Sequence, residues 1–356
     1  MVIVSSEVKQ QSYDHVKNGL CISNATEVSK LNYINGSTRT LQVNSLRPKS
    51  LNDYIGQKEL KQILRIAIKA AYTQEGTMDH VLLYGPAGLG KTTIALVLAA
   101  ELGVPCRIIS APAIERPRDI IGLLMNLEPN EVLFIDEIHR LNRISEELLY
   151  AAMEDFRLDI SVGKSRVARI RNISINPFTL VGATTHAGAL SPALRDRFGL
   201  VQRLSLYSLE DLCNIIKRTA NILLLTLDEA AVLEIAQRCR GTPRIANRLL
   251  RRIRDVTSLR DNDNYINEEL ANEVLSLHQV DNRGLDANDR RILQFLIENY
   301  GGGPVGLQTI AASLGEDATI LESFVEPFLM QMGFLKRTPR GRIVTLEGYK
   351  HLGWPV

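Results

Sequence analysis

Gly85-Pro86-Ala87-Gly88-Leu89-Gly90-Lys91-Thr92 is the stretch that decides the fold of this chain. It matches the phosphate-binding pattern G-x-x-x-x-G-K-S/T, the P-loop, in which glycines let the backbone approach phosphates closely. The apolar residues 80–84 predict a buried strand before it, and residues 93–102 predict a buried helix after it, whose N-terminus adds positive potential. We expect Lys91 to reach the β- and γ-phosphates and the Thr92 hydroxyl to ligate Mg²⁺. The sequence therefore predicts binding of a nucleoside triphosphate.

Size and composition are those of an ordinary soluble protein with two or three domains. The 356 residues are 45% hydrophobic and 23% charged, and the net charge of +2 means that any contact with nucleic acid must come from a local patch. The four cysteines form no C-x-x-C pair, which argues against a zinc site and fits a reducing cytoplasm. No apolar run approaches the roughly 18 residues of a membrane span, and the N-terminus does not look like a secretory signal. We expect a cytoplasmic protein.

Four further apolar runs follow the P-loop and are separated mostly by helical patterns. Strands that alternate with helices predict an α/β domain with a mostly parallel sheet and helices on both faces. Ligands of such sheets bind beyond the carboxyl ends of the strands, where the P-loop lies. The predicted strands are residues 106–110, 132–135, 179–183 and 200–206.

The sequence divides into four segments. Residues 1–45 are polar and lack periodicity, so we interpret them as a mobile N-terminal extension. Residues 46–207 form the α/β domain, and a β-hairpin is predicted at about 158–175, either as a docking surface or packed on its own domain. Residues 208–278 read as an all-helical lid with no further strands. Residues 281–356 predict three helices and two short strands, the pattern of a winged helix.

Two sequence patterns add candidates for hydrolysis. Asp136 and Glu137 end an apolar strand, so Asp136 would hold Mg²⁺ and Glu137 would polarise the attacking water. An acidic turn at the end of a strand is the other interpretation. Thr185, after the next predicted strand, could align that water, or it could be a capping threonine.

Arginines at two places are candidates for contact with the γ-phosphate. A guanidinium in Arg195-Asp196-Arg197-Phe198 lies too far round the sheet for its own P-loop, so it could serve a neighbouring subunit as an arginine finger. Arg244 begins a helix after Pro243 and could reach the phosphate from a moving lid. Surface salt bridges are the alternative for either residue.

A basic cluster lies in the predicted wing. Lys336, Arg337, Arg340 and Arg342 fall within seven residues, whereas the preceding helix carries Glu322 and Glu326, which phosphates would repel. The wing is therefore predicted to grip DNA phosphates without reading sequence. The alternative is a solvated basic turn.

These motifs, in this order, resemble the AAA+ ATPases and, within them, the RuvB family of branch-migration motors. The resemblance covers about residues 46–356. Besides the P-loop and Thr93, it rests on Leu46-Arg47-Pro48, Asp136-Glu137-Ile138-His139-Arg140-Leu141, Glu154-Asp155-Phe156, Gly182-Ala183-Thr184-Thr185, Leu194-Arg195-Asp196-Arg197-Phe198-Gly199, Gly241-Thr242-Pro243-Arg244 and Arg337-Thr338-Pro339-Arg340-Gly341-Arg342.

The resemblance implies a set of site residues. Arg197 would be the finger given to the next subunit, Arg244 a second sensor, and Arg337 and Arg342 DNA contacts. The ATP pocket would be lined by Leu46, Arg47, Gly85, Gly88, Gly90, Lys91, Thr92, Thr93, Glu154, Asp155, Phe156, Arg197, Tyr207 and Arg244.

The resemblance also implies an activity and partners. The family consists of ATP-dependent, Mg²⁺-requiring helicases that form homo-hexameric rings around duplex DNA and drive branch migration of Holliday junctions in recombination and repair. The junction-binding protein RuvA would recruit the ring through the hairpin, and the resolvase RuvC would act in the same complex. Two residues depart from the family pattern: Ala87 replaces a usual proline, and His186 replaces a usual arginine. A clamp-loader or protein-remodelling ATPase, and a nucleotide-switched DNA-binding regulator, are the rival interpretations.

Overall fold

A computed structural model describes residues 46–74, 76–162, 169–259 and 264–355 of the chain. The predicted N-terminal extension and the turn of the predicted hairpin lie outside these residues. The range Leu46–Val356 forms one unit by its internal contacts.

The first seven strands form a parallel sheet and a hairpin. They are β1 (Val81–Tyr84), β2 (Cys106–Ser110), β3 (Val132–Asp136), β4 (Arg157–Val162), β5 (Arg169–Ser174), β6 (Thr179–Thr184) and β7 (Leu200–Arg203). The sheet has the order β2-β3-β6-β1-β7, and all of its pairs are parallel, as predicted from the alternation of strands and helices. The strand predicted at 200–206 ends early, because the residue opposite Arg203 is Tyr84, after which β1 runs into the P-loop.

Both faces of the sheet are covered. Along β1, Val81 and Leu83 belong to one apolar cluster and Leu82 to another, and all three side chains are fully buried. Because successive side chains of a strand point to opposite faces, a continuous apolar run requires cover on both sides. The helices of this part are Lys58–Gln74, Lys91–Leu102, Pro117–Met125, Arg143–Asp155 and Pro192–Arg195.

The hairpin β4–β5 packs on its own domain at its base. Leu158 and Ile175 are buried in the same apolar cluster as Phe178, and Ile160 and Ile173 are partly buried against it. The base of the hairpin therefore has a structural role.

The following segment is helical, with one difference from the prediction. Its helices are Leu209–Ile222, Glu229–Gln237, Pro243–Thr257 and Glu268–Leu277. Ser208 and Asp228 cap the first two, since their side chains accept from the backbone N–H groups of Asp211 and Ala231. Two-residue strands β8 (Thr226–Leu227) and β9 (Tyr265–Ile266) also pair in parallel. Such strands are too short to produce a periodic pattern in a sequence.

The C-terminal segment has its own core and ends in a wing. Helices Ala287–Tyr300 and Leu307–Leu314 precede a third helical stretch, formed by Ala318–Ile320, a π-helical turn Leu321–Val325 and Glu326–Gln331. The irregular turn ends two residues before Pro327, which has no N–H to continue the regular bonding. Strands β10 (Leu335–Thr338) and β11 (Gly341–Val344) pair antiparallel and lead to helix Leu346–His351. This arrangement is the predicted winged helix.

Candidate active site and DNA-binding wing

The P-loop backbone requires glycine at its closest approaches. Gly85 has φ of 138°, and a Cβ there would lie 2.6 Å from the carbonyl oxygen of Leu204. Gly90, with φ of 99°, would place a Cβ 2.7 Å from the hydroxyl of Tyr54. The loop therefore curves tightly between β1 and the helix that begins at Lys91.

Lys91 is buried inside the curve of this loop. Its Nζ donates to the carbonyl oxygens of Gly85 (2.8 Å) and Pro86 (3.0 Å). Burial lowers the pKa of the Lys91 ammonium, while the nearby carboxylates of Glu137 and Asp136 act in the opposite direction. The lysine thus lies between the P-loop and the acidic end of β3, where phosphates of a bound nucleotide would meet it.

Asp136, Glu137 and Thr185 meet at the carboxyl edge of the sheet. Glu137 has a left-handed backbone with φ of 49°, and its N–H donates to Asp136 Oδ1 (3.1 Å). Its Oε2 accepts from the backbone N–H (3.2 Å) and the hydroxyl (3.0 Å) of Thr185. Because β3 and β6 are neighbours in the sheet, residues 48 positions apart in the chain share this hydrogen bond.

Two histidines that our sequence analysis did not assign to the site surround this glutamate. His139 Nδ1 lies 3.3 Å from Glu137 Oε2 and 2.9 Å from Thr184 Oγ1. His186 Nδ1 lies 2.9 Å from Thr185 Oγ1. Burial lowers the pKa of His139, against the raising effect of Glu137. The spacing of His139 three residues after Asp136 was the only sequence signal for its position.

A tyrosine pair packs on the other side of the P-loop. The hydroxyls of Tyr54 and Tyr207 are 2.7 Å apart, and both reach the carbonyl oxygen of Leu89, over 3.3 and 3.1 Å. Burial raises the pKa of Tyr207 to about 12, so the hydroxyl keeps its proton. Tyr207, expected at the pocket, therefore contacts the P-loop. Tyr54 contacts it too, and the sequence had not indicated this residue. Leu46, also expected there, is buried, and its carbonyl accepts from Arg218 (2.8 Å), while Arg47 beside it is half-buried.

The lid reaches the P-loop at Gly88. The N–H of Arg244 donates to Gly88 O over 3.3 Å, and a Cβ on Gly88 would clash with the side chains of Thr242 and Arg244, at 2.7 and 2.9 Å. Arg244 also contributes to the lowered pKa of Lys91. The candidate sensor therefore lies beside the phosphate-binding residues of its own chain.

Arg197 lies at the amino end of the parallel strands, opposite the carboxyl end where the P-loop lies. It precedes β7, which runs parallel to β1 with Leu200 opposite Val81, whereas the P-loop follows β1. The four residues of β1 alone separate the two edges by about 13 Å at 3.3 Å per residue. Arg197 Nε is 3.2 Å from Glu154 Oε1, so this glutamate is also away from its own P-loop.

Apart from Leu46, Arg47 and Arg197, the expected pocket residues form two groups. Glu154, Asp155 and Phe156 end the helix whose Met153 carbonyl lies 3.0 Å from His80 Nε2, at the amino end of β1. They cannot line the P-loop of their own chain from there. The other group lies at or near the P-loop and includes Gly85, Gly88, Gly90, Lys91, Thr92, Thr93, Tyr207 and Arg244.

In the wing, two arginines face two glutamates. Arg337 and Arg342 are opposite each other across the β10–β11 pair. Arg337 pairs with Glu322 (2.9 Å) and is exposed, while the guanidinium of Arg342 makes two hydrogen bonds to Glu326, and both of these side chains are buried.

Arg342, expected to contact DNA, is therefore turned toward Glu326 in this structure, and its contact with DNA stays a prediction. The carboxylate of Glu326 stands one helical turn after Glu322 and draws Arg342 inward. Lys336 and Arg340 are exposed, and among the residues that the structure describes they form no ion pair. Both charges are free, that of Lys336 on β10 and that of Arg340 at the turn of the wing.

Comparison with known proteins agrees with this architecture. Family models match in succession: the Holliday junction DNA helicase RuvB P-loop domain over residues 46–204, the RuvB AAA lid domain over 207–281 and the RuvB C-terminal winged helix domain over 282–353. In the described ranges, no helix is both long and apolar enough to cross a membrane.

Relatives and solved structures point the same way. The Holliday junction branch migration complex subunit RuvB of Prochlorococcus marinus is 66% identical over 310 residues, covering 87% of this chain and 88% of the relative. That of a Synechococcus species is 65% identical over 311 residues, covering 87% of each. The Thermotoga maritima RuvB Holliday junction branch migration motor superposes with a TM-score of 0.79 at 47% identity, covering 88% of this chain and 99% of that one. The chain belongs to the RuvB family of AAA+ ATPases.

Proposed function

We propose that this protein is the ATP-hydrolysing subunit of a ring motor that drives branch migration of Holliday junctions. One observation carries the proposal: the P-loop and Arg197 lie at opposite edges of one sheet, so a complete site needs two copies of the chain. The domains we propose are residues 46–207 for hydrolysis, 208–278 for the lid and 281–356 for DNA contact. The names of the RuvB relatives support this function.

In the proposed site, ATP is held by the P-loop of one subunit. Lys91, which here donates to two loop carbonyls, would turn to the β- and γ-phosphates. The hydroxyl of Thr92 and the carboxylate of Asp136 are hard oxygen donors of the kind Mg²⁺ prefers, and both side chains are only partly buried. Mg²⁺, held by these two residues, would neutralise charge on the phosphates.

Hydrolysis would be carried out by Glu137 and Thr185. Glu137 is the carboxylate nearest in sequence to the proposed metal ligand Asp136, and its Oε2 accepts two hydrogen bonds from Thr185. These bonds define where the carboxylate stands as it takes a proton from the attacking water. Arg244, hydrogen-bonded to Gly88, would report the state of the phosphates to the lid.

The second subunit would supply Arg197 together with Glu154, Asp155 and Phe156. A guanidinium at the γ-phosphate stabilises the charge of the transition state. A contribution that passes from each copy to the next can close into a ring, which is compatible with the homo-hexamer implied by the family resemblance.

The wing would contact duplex DNA through phosphates. Lys336 and Arg340 offer free charges, and Arg337 is exposed although it pairs with Glu322. Exposed ion pairs are weak, so a phosphate can replace the glutamate. Contacts of this kind carry no sequence preference, as a motor that moves along DNA requires.

We further propose that RuvA docks on the hairpin β4–β5 and that RuvC acts in the same cytoplasmic complex. Support comes from the base of the hairpin, which Leu158 and Ile175 anchor in the core of the domain, so a docking surface on the hairpin would have a fixed base. The relatives are themselves named as subunits of a complex.

The decisive experiment is branch migration of a synthetic four-way junction by the purified protein with ATP and Mg²⁺, with and without RuvA. We expect ATP-dependent migration that RuvA stimulates. ATP-dependent DNA binding without migration and with little turnover would instead identify a nucleotide-switched regulator.

A further inference from the structure

The guanidinium of Arg197 is oriented by an aromatic ring of its own chain. Its Cζ lies 4.3 Å from the centre of the Tyr150 ring, and Nη1 donates to the carbonyl oxygen of Ala193 over 2.7 Å. Glu154 Oε1 is 3.2 Å from Nε, yet Nε has no aligned hydrogen bond in the part of the chain that the structure describes. Glu154 therefore attracts Arg197 electrostatically, while the Tyr150 ring and the Ala193 carbonyl set the orientation of the guanidinium.

Tyr150 is itself held in place at its hydroxyl. The Tyr150 hydroxyl donates to Glu146 Oε1 (2.7 Å) and lies 3.3 Å from Ser191 Oγ. The Ser191 hydroxyl also donates to Glu146. Two side chains from two elements, Glu146 and Ser191, thus hold the ring at its hydroxyl.

Ser191 connects this cluster to the backbone that carries Arg197. Its Oγ accepts from the N–H of Leu194 and caps the short helix Pro192–Arg195, which ends two residues before Arg197. The same hydroxyl therefore anchors both the ring under the guanidinium and the helix that leads to it.

We propose that Tyr150 is a positioning residue for the arginine finger, which presents Arg197 to the nucleotide of the adjacent subunit. This inference rests on the proposed function, in which Arg197 acts in trans. An aromatic face attracts a guanidinium without occupying its N–H donors in the ring plane. The ring therefore takes none of the N–H donors that a phosphate would need, although one at Nη1 donates to Ala193. A buried carboxylate in its place would neutralise the charge.

The test compares Tyr150→Leu with Tyr150→Phe, measuring kcat and KM for ATP. Tyr150→Phe keeps the aromatic face and should retain kcat within about threefold. Tyr150→Leu removes the face and should lower kcat about 10- to 100-fold with little change in KM, since misplacement of a reacting group by about 1 Å costs up to a hundredfold. Equal losses in the two variants, or none in Tyr150→Leu, would overturn the proposal.

Mixed rings distinguish a role in trans from damage to the variant's own site. Glu137→Gln subunits cannot hydrolyse ATP but carry an intact finger, so mixing them with Tyr150→Leu subunits should restore turnover. A mixture of Glu137→Gln with Arg197→Ala is the reference, and co-assembly is checked by pull-down of a tag on one subunit.

The two mixtures separate the possible failures. Restoration in the reference but not with Tyr150→Leu would show that Tyr150 serves its own subunit, which overturns the positioning role. No restoration in either co-assembled mixture would overturn the arrangement in trans itself, and the proposed function with it.

Discussion

The backbone N–H of Arg244 donates to the carbonyl oxygen of Gly88 across 3.3 Å, which joins the lid directly to the P-loop. Four residues earlier, Arg240 is bound to the C-terminal domain: its Nε donates to Gly284 O (2.7 Å), its guanidinium pairs with the buried Asp289, and it stacks on Phe328 at 4.3 Å. Five consecutive residues therefore connect the nucleotide site to the domain that carries the wing.

Replacement of Arg240 should separate ATP hydrolysis from DNA movement. In Arg240→Ala the P-loop contacts of Arg244 remain, but the C-terminal domain loses its anchor to the lid. We expect kcat for ATP within about threefold of wild type. Branch migration should fall at least tenfold, because the variant loses a coupling free energy between the two domains of about 1–3 kcal/mol. The control is Arg283→Ala, an exposed arginine of the same connection. Proportional loss of both activities would contradict this coupling.

Glu137→Gln should bind ATP normally but hydrolyse it poorly. The amide keeps the size of the side chain and can still accept from Thr185, but it cannot take a proton from water. Loss of a general base lowers kcat by about 10²- to 10⁴-fold. Steady-state turnover and binding of a fluorescent ATP analogue check this, with the exposed Glu147→Gln as control. Turnover at the wild-type rate would refute the assignment of Glu137.

The two wing arginines should differ in what their loss affects. Arg342→Ala leaves Glu326 buried without its partner, so we expect the C-terminal domain to lose about 3–5 kcal/mol of stability. Arg337→Ala breaks an exposed pair and should change stability by less than about 1 kcal/mol, yet weaken binding to all duplex sequences and flatten its salt dependence. Urea unfolding followed by the fluorescence of Trp354, the single tryptophan, and DNA titrations at several salt concentrations measure both. An undiminished stability of Arg342→Ala would contradict its buried role.

Stability of the C-terminal domain should depend on the protonation of Asp289. Burial raises its pKa from the ordinary 3.8 to about 6, against the lowering effect of Arg240. The folded state binds this proton more tightly than the unfolded state, so protonation of Asp289 adds to the free energy of unfolding. This added stability is fully present below pH 3.8 and disappears as the pH rises through about 6. It amounts to about 3 kcal/mol at 1.36 kcal/mol per pKa unit. Urea titrations followed by the fluorescence of Trp354 should show the free energy of unfolding falling with pH in the wild type, and this pH dependence should be lost in Asp289→Asn. A pH dependence that persists in the variant would assign it to another group.

Most of the fold could be predicted because its signals are local. Residues 106–110 form a strand with the bounds predicted from their apolar pattern, and the C-terminal segment contains the predicted helices followed by two short strands. The predicted strand at 200–206 was too long, since its end depends on where its partner β1 stops. The pair β8–β9 left no pattern to detect.

Site residues within one motif were predicted from their spacing, but their partners were not. Thr185 was selected from its place after a strand, whereas its hydrogen bond to Glu137 depends on β3 and β6 being neighbours. Tyr54 and Tyr150 belong to no phosphate-binding pattern and became visible only through the atoms they contact.

The sequence by itself determined the phosphate-binding loop and the order of the structural elements, because glycine spacing and apolar periodicity act within short stretches of chain. The family followed from the resemblance of its motifs, taken in order, to those of known ATPases. Only the tertiary structure decided which charges are free. Arg337 and Arg342 are equally basic in the sequence, yet one is exposed and the other buried against Glu326. Likewise, only the parallel register of β1 and β7 places Arg197 at the edge away from its own P-loop. Electrostatic and hydrogen-bond partners are set by distance in space, and the sequence around two residues far apart in the chain does not show whether they are close in the fold.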